Sequence, residues 1–153
     1  MVVQVAWADR RIELATAIFD VNGTLTLHGE LIDGVAPRMQ RLRQILQVLL
    51  VSSDSYGTLE AVADALQVPA RRAQNAAEKA AILAEVGPST CLAVGNGNND
   101  LLLLRDAALG IAVVGPEGAA PALFATADIV CAAIADALDL ILEPLRLSAT
   151  LRP

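Results

Sequence analysis

The sequence predicts an α/β fold, with a mainly parallel, doubly wound sheet between two layers of helices. Strand-like and helix-like segments alternate at least four times along the 153 residues. Strand segments such as QVLLVS (47–52) are nearly continuous apolar runs, the pattern of strands buried on both faces. Three of these runs end in polar segments that carry an acid: Asp20, Asn22 and Thr24; Ser52, Ser53 and Asp54; and Gly95 to Asp100. In a Rossmann-like sheet, ligands bind beyond the carboxyl ends of the strands, so these segments would meet at one edge.

The elements follow in order. VVQVAW and RIELATAIF flank Ala8-Asp9-Arg10, which suits a hairpin turn, and the second run continues into Asp20. LTLHGELI alternates apolar and polar residues around His28-Gly29, a short flap hairpin with His28 as a turn residue. Pro37 suits the first turn of a helix whose apolar face is Met39, Leu42, Ile45 and Leu46. After the 47–52 strand, Thr58 is placed to cap a helix bearing Leu59, Val62, Ala63 and Leu66. Residues 68–74 read as a polar connection. A helix through Ala77 to Val86 stops at Gly87-Pro88.

STCLAVGN is the next strand, and NNDLLLLRDAAL a helix with Gly110 just beyond it. IAVV is a strand, GPEG (115–118) a turn, 119–125 a short helix, DIVCA a last strand, and AIADALDLIL a last helix ended by Pro144. The mildly basic tail, 146–153, either docks or frays. The connections are too short for a second domain, so 1–153 reads as one domain without a lid.

Composition narrows the function. The chain is 55% apolar, yet no run approaches the roughly 18 to 20 uninterrupted apolar residues of a membrane helix. No leader-like segment is evident. A net charge of -6 without a basic run argues against a nucleic-acid or membrane surface. Cys91 and Cys131 lack metal-type spacing and read as buried free thiols of a cytoplasmic protein.

The three strand ends hold the pieces of a phosphoryl-transfer site. A carboxylate such as Asp20 can attack phosphorus to form an aspartyl-phosphate. That attack needs charge masking, which Mg2+ supplies best. Asp20 and Asp100 could hold the ion, with the backbone carbonyl of Asn22. Gly23 and Thr24 turn the chain so that backbone N–H groups face a phosphate. Ser52 and Ser53 either bind phosphoryl oxygens or simply lead into a helix. Lys79, the only lysine, either reaches in to neutralise developing charge or stands in solvent. Asp54 reads as a cap or a supporting acid.

These residues resemble the haloacid dehalogenase (HAD) superfamily of phosphohydrolases. Its D-x-D-G-T motif stands here as Asp20-Val21-Asn22-Gly23-Thr24. Its strand-end Ser or Thr is Ser52, its Lys is Lys79, and its acidic G-D-G-x-N-D run is Gly95-Asn96-Gly97-Asn98-Asn99-Asp100. The stretch VSSDSYGTLEAVADALQV is similar to a segment of P-type ATPase catalytic domains. The nearest likeness is to small stand-alone proteins of that kind, the soluble P-type ATPases.

The resemblance implies an aspartyl-phosphate at Asp20, Mg2+ as cofactor and Asn96 among the metal ligands. It also implies a phosphorylated substrate, small or macromolecular, and a homo-oligomer that could lend a lid. Two positions depart from the superfamily pattern. Asn22 stands where an acid exchanges protons with leaving group and water, and Asn96 where an acid binds metal. The expectation is a slow phosphatase. The alternative is a phosphate- or metal-binding regulatory protein on the same scaffold.

Overall fold

The computed structural model describes residues 1–153. The chain opens with an antiparallel hairpin of β1 (Val3–Trp7) and β2 (Arg10–Leu14), Val3 facing Leu14 and Trp7 facing Arg10. The run expected to continue as one strand into Asp20 instead divides at Ala15. The Ala15 N–H donates to the Thr90 carbonyl (2.8 Å), and its carbonyl accepts from the Gln47 N–H (3.0 Å). These bonds carry the chain out of the hairpin and into the main sheet as β3 (Thr16–Phe19). The flap follows as β4 (Thr26–Leu27) and β5 (Glu30–Leu31). His28 (φ 54°) and Gly29 (φ 80°) form its two-residue turn, the left-handed pair that matches strand twist.

Next come α1 (Val35–Leu42), β6 (Gln47–Ser52), α2 (Leu59–Leu66) and β7 (Ala70–Arg72). Two expectations change here. The 68–74 stretch is an edge strand rather than a polar connection: Ala70 to Arg72 run parallel to Leu50 to Ser52. Its Arg71 and Arg72 side chains stay exposed, as suits an edge, and so hide the strand in the sequence. Ile45 and Leu46 lie beyond the end of α1, though Leu46 is fully buried and joins the core. α3 (Ala76–Val86) is capped by Asn75, whose side-chain oxygen accepts from the Glu78 N–H at 2.9 Å.

β8 (Cys91–Gly95) leads through a 3-10 turn at Asn98–Asp100 into α4 (Leu101–Asp106) and then β9 (Leu109–Val113). Gly110 is a strand residue and not a helix stop. A Cβ there would sit 2.5 Å from the Leu104 carbonyl oxygen, so its bareness lets α4 lie against β9. α5 (Ala122–Thr126), β10 (Ile129–Cys131), α6 (Ile134–Leu142) and α7 (Pro144–Leu151) complete the chain. The tail from 146, left to dock or fray, docks: most of it is this last helix. Pro144 starts it, and Leu147 is buried in the core that β1 shares.

The main sheet has the order β10-β9-β8-β3-β6-β7, with every neighbouring pair parallel. Side chains alternate between two cores, as the two-residue strand period requires. Ala17, Phe19, Val48, Leu50, Leu92 and Val94 face the core closed by α1, α2, α6 and α7. Ile18, Val51, Cys91 and Ala93 face the one closed by α3, α4 and α5. Cys91 and Cys131 are buried free thiols, and burial pushes both up to about 11, out of thiolate range. No helix is long and apolar enough to cross a membrane. Only the flap and α1 lie between β3 and β6, so no lid is inserted there.

Candidate active site

The chain builds β6 and β7 on one side of β3, and β8, β9 and β10 on the other. β3 is thus the point where the winding reverses, and a crevice opens beyond its carboxyl end. Phe19, its last residue, lies opposite Leu50 of β6 and Val94 of β8. Asp20 continues the ladder by one bond, its N–H donating to the Val94 carbonyl at 2.9 Å. The Val21 carbonyl then accepts from the N–H groups of Thr24, Leu25 and Thr26. That tight turn needs Gly23 at φ 77° and leaves the Asp20 side chain, 6% exposed, at the strand edge.

Lys79 crosses from α3 to meet it. Its ammonium lies 2.8 Å from Asp20 Oδ1 and 2.8 Å from Asp100 Oδ1, and the side chain is wholly buried. The sequence left open whether this lysine reaches in or stands in solvent; it reaches in. Burial alone would lower its pKa, but the two carboxylates outweigh that and hold it above the ordinary value. Asp20 is pushed up to about 7, first by desolvation and then by Asp100, with Lys79 and Thr24 opposing.

The second oxygen of Asp100 accepts from the N–H groups of Asn96 (3.1 Å) and Gly97 (3.0 Å). Asp100 therefore clamps its own loop and anchors Lys79, with both oxygens engaged. Gly95 is the residue it rests on, since a Cβ there would collide with the Asp100 carboxyl group. Thr24 links the first and last loops: its hydroxyl lies 3.1 Å from Asp20 Oδ2 and 3.2 Å from Asn96 Oδ1. The Asn96 amide donates to the Gly118 carbonyl at 3.1 Å. The Asn22 side-chain oxygen lies 3.5 Å from the Thr26 hydroxyl.

Ser52 sits 2% exposed at the end of β6, where its hydroxyl accepts from the Asp54 N–H at 2.9 Å. Ser53 is half-buried and bonds Ser55 instead, hydroxyl to hydroxyl at 3.1 Å. Asp54 is the cap of α2. Its Oδ1 accepts from the Leu59 N–H (2.9 Å) and its Oδ2 pairs with Arg72 (2.9 Å), while the Thr58 side chain makes no capping bond. Beside the site, a cleft of about 480 Å³ runs between the flap and the following turn, lined by His28, Glu30, Asp33 and Pro116 among others.

Asp20 Oδ2 and Asn96 Oδ1 share one hydroxyl neighbour, so they occupy one small space. They are an all-oxygen pair, the chemistry a hard cation such as Mg2+ prefers. It is a poorly charged set. No three His, Cys, Asp or Glu side chains gather here as a metal cluster.

The fold recurs among solved structures. A 3-deoxy-D-manno-octulosonate 8-phosphate phosphatase from Moraxella catarrhalis, bound to magnesium, phosphate and KDO, matches with a TM-score of 0.70. The match covers 86% of this chain and 87% of that one, at 20% identity. The fold is that of the HAD-superfamily phosphatases. The cobalt-bound deoxy-D-mannose-octulosonate 8-phosphate phosphatase from Haemophilus influenzae gives a TM-score of 0.66 over 86% of this chain and 88% of its own, at 17% identity. An apo phosphoserine phosphatase gives 0.66 over 77% of this chain and 93% of its own, at 15% identity. No family model matches the sequence. An uncharacterized protein of Methanocaldococcus jannaschii is 56% identical over 61 residues, 40% of this chain. The match spans 66% of that protein's length.

One neighbour of these loops escaped the sequence reading. Glu117, in the GPEG turn, carries its carboxylate over Gly23: a Cβ at Gly23 would collide with Glu117 Oε2 and lie 2.9 Å from Asn96 Nδ2. The turn was legible, but nothing in a surface turn marks the direction of its side chain.

Proposed function

We propose that this chain is a divalent-metal-dependent phosphohydrolase that forms an aspartyl-phosphate on Asp20 and turns over slowly. The observation that carries the reading is the buried Lys79 bridging Asp20 and Asp100 at the strand edge where the winding reverses. A buried cation held beside a strand-end carboxylate costs desolvation that a purely structural site could avoid with apolar residues. The HAD-like fold, shared with phosphatases solved with magnesium and with cobalt, supports the reading.

In the first step an Asp20 oxygen attacks phosphorus. The Asp20 O–P bond forms, and the ester P–O bond breaks. Lys79 neutralises charge on the entering carboxylate. The N–H groups of Asp20, Gly23 and Thr24 are taken up by the Val94, Thr26 and Val21 carbonyls, contrary to the expectation for Gly23 and Thr24, so those of Val21 and Asn22 are the ones left for the transferring oxygens, with Ser52 beside them. Asn22 has no proton to exchange, so the leaving oxygen takes its proton from solvent. Water then attacks the phosphorus, releasing phosphate and restoring Asp20. Asp20, the Asn22 carbonyl and Asn96 would hold Mg2+, whose chemistry here is to mask negative charge. Asp100 supports that site through Lys79 and the 96–97 backbone.

The substrate is a phosphorylated small molecule or macromolecule, admitted without a built-in lid. The likeness to soluble P-type ATPases, with Asn at 22, makes a persistent phosphoenzyme the expected resting point. A cytoplasmic homo-oligomer that binds neither nucleic acid nor membrane completes the proposal. The test is to incubate the protein with acetyl phosphate and Mg2+ and examine it by intact mass. A hydroxylamine-labile phosphoryl adduct on wild type, absent from Asp20→Asn, is expected. No adduct from protein that still binds phosphate would favour the regulatory binding protein, which the amide character of Asn22 and Asn96 also suits.

A further inference from the structure

We infer that Glu117 supplies the second negative charge of the divalent-cation site, in place of the acid missing at Asn96. The inference rests on the metal-dependent reading above. Mg2+ in such sites is held through one or two carboxylates. Here Asp20 is one. Asp100 is committed on both oxygens, one to Lys79 and the other to the Asn96 and Gly97 N–H groups. Asn96 offers only a neutral amide oxygen. The site is therefore one charge short, and Glu117 is the acid whose carboxylate lies against Gly23, beside the Asn96 amide.

Its placement is built. The turn that carries it is tied down at both ends: the Gly115 N–H donates to the Ala132 carbonyl (3.0 Å), and the Ala120 N–H donates to the Asn96 carbonyl (2.8 Å). Asn96 Nδ2 holds the Gly118 carbonyl at 3.1 Å. Gly115 (φ 57°) and Gly118 (φ 72°) give the turn the left-handed bends that carry the Glu117 carboxylate over Gly23. The carboxylate lies on the bare face of Gly23, where a Cβ would meet both Glu117 Oε2 and the Asn96 amide. Glu117 thus shares Asn96's surroundings. It also takes part in none of the protein's ion pairs, so its charge is not spent elsewhere.

The test is calorimetric titration of Mg2+ alone into wild type, Glu117→Gln, Glu117→Ala and the double variant Asn96→Asp/Glu117→Gln. Residue 117 is exposed in a turn, so the fold does not depend on it. Both single variants should weaken Mg2+ binding about 10- to 100-fold, the usual cost of losing a supporting metal-site carboxylate. The double variant should recover the loss, because charge returns to position 96. Wild-type affinity in Glu117→Gln, with binding lost in Asp20→Asn, would overturn the role of Glu117 and leave the metal reading standing. No Mg2+ uptake by wild type would overturn both.

Discussion

Lys79 Nζ sits 2.8 Å from Asp20 Oδ1, although 59 positions separate the two residues. Between them the chain runs through the flap, α1, β6, α2, β7 and the first turn of α3. Because the lysine is wholly buried, it also holds two carboxylates that would otherwise repel each other without solvent. Lys79→Met keeps most of the volume and removes the cation. It should cost about 3–5 kcal/mol, the penalty of orphaning a buried charge. Urea unfolding at pH 8 measures this, and an unchanged midpoint would mean that the ion triad is not closed.

On the proposed reading, Asn22 limits the rate. Restoring a carboxyl group with Asn22→Asp should raise hydrolysis about 10²- to 10⁴-fold, the typical worth of general acid–base help. The gain should fall on turnover of the phosphoenzyme, so the adduct seen by intact mass should become harder to trap. Steady-state phosphate release together with adduct yield checks both halves.

Asp20 gives the metal-free protein a pH signature. Its pKa rises from 3.8 to about 7 on folding, chiefly through burial and then through Asp100. Between those values the folded protein keeps a proton that the unfolded chain has released. Raising the pH through this window therefore removes stability, by up to ~1.4 kcal/mol per pH unit from this one group. In the presence of EDTA, wild type should lose stability from pH 4 toward pH 7 more steeply than Asp20→Asn. Parallel curves would show that Asp20 is not desolvated in solution.

Gly110 tests the packing that sets the third loop. Gly110→Ala places a methyl 2.5 Å from the Leu104 carbonyl oxygen, which is backbone and cannot rotate away. The cost should be about 1–3 kcal/mol, as for other overpacked positions. Thermal unfolding reads it directly.

Much of this molecule was legible in its residues. The alternation of QVLLVS-type runs with amphipathic helices predicted the parallel sheet, and the strand-end acids predicted the edge where Asp20, Asp100 and Lys79 meet. What escaped had physical causes. β7 carries two exposed arginines, so an edge strand looked like a polar loop. Gly110 resembled a helix stop because a close α4–β9 approach demands the same residue. Ala15 gave no sign that one apolar run serves two sheets. Glu117 comes to lie against Gly23 from a surface turn, by backbone geometry that no periodicity records.

The most direct measurement is phosphate release from p-nitrophenyl phosphate and a panel of phosphometabolites, with and without Mg2+, beside Asp20→Asn. The account predicts slow release that requires both Mg2+ and Asp20. Release that persists in Asp20→Asn, or none from any substrate, would contradict it.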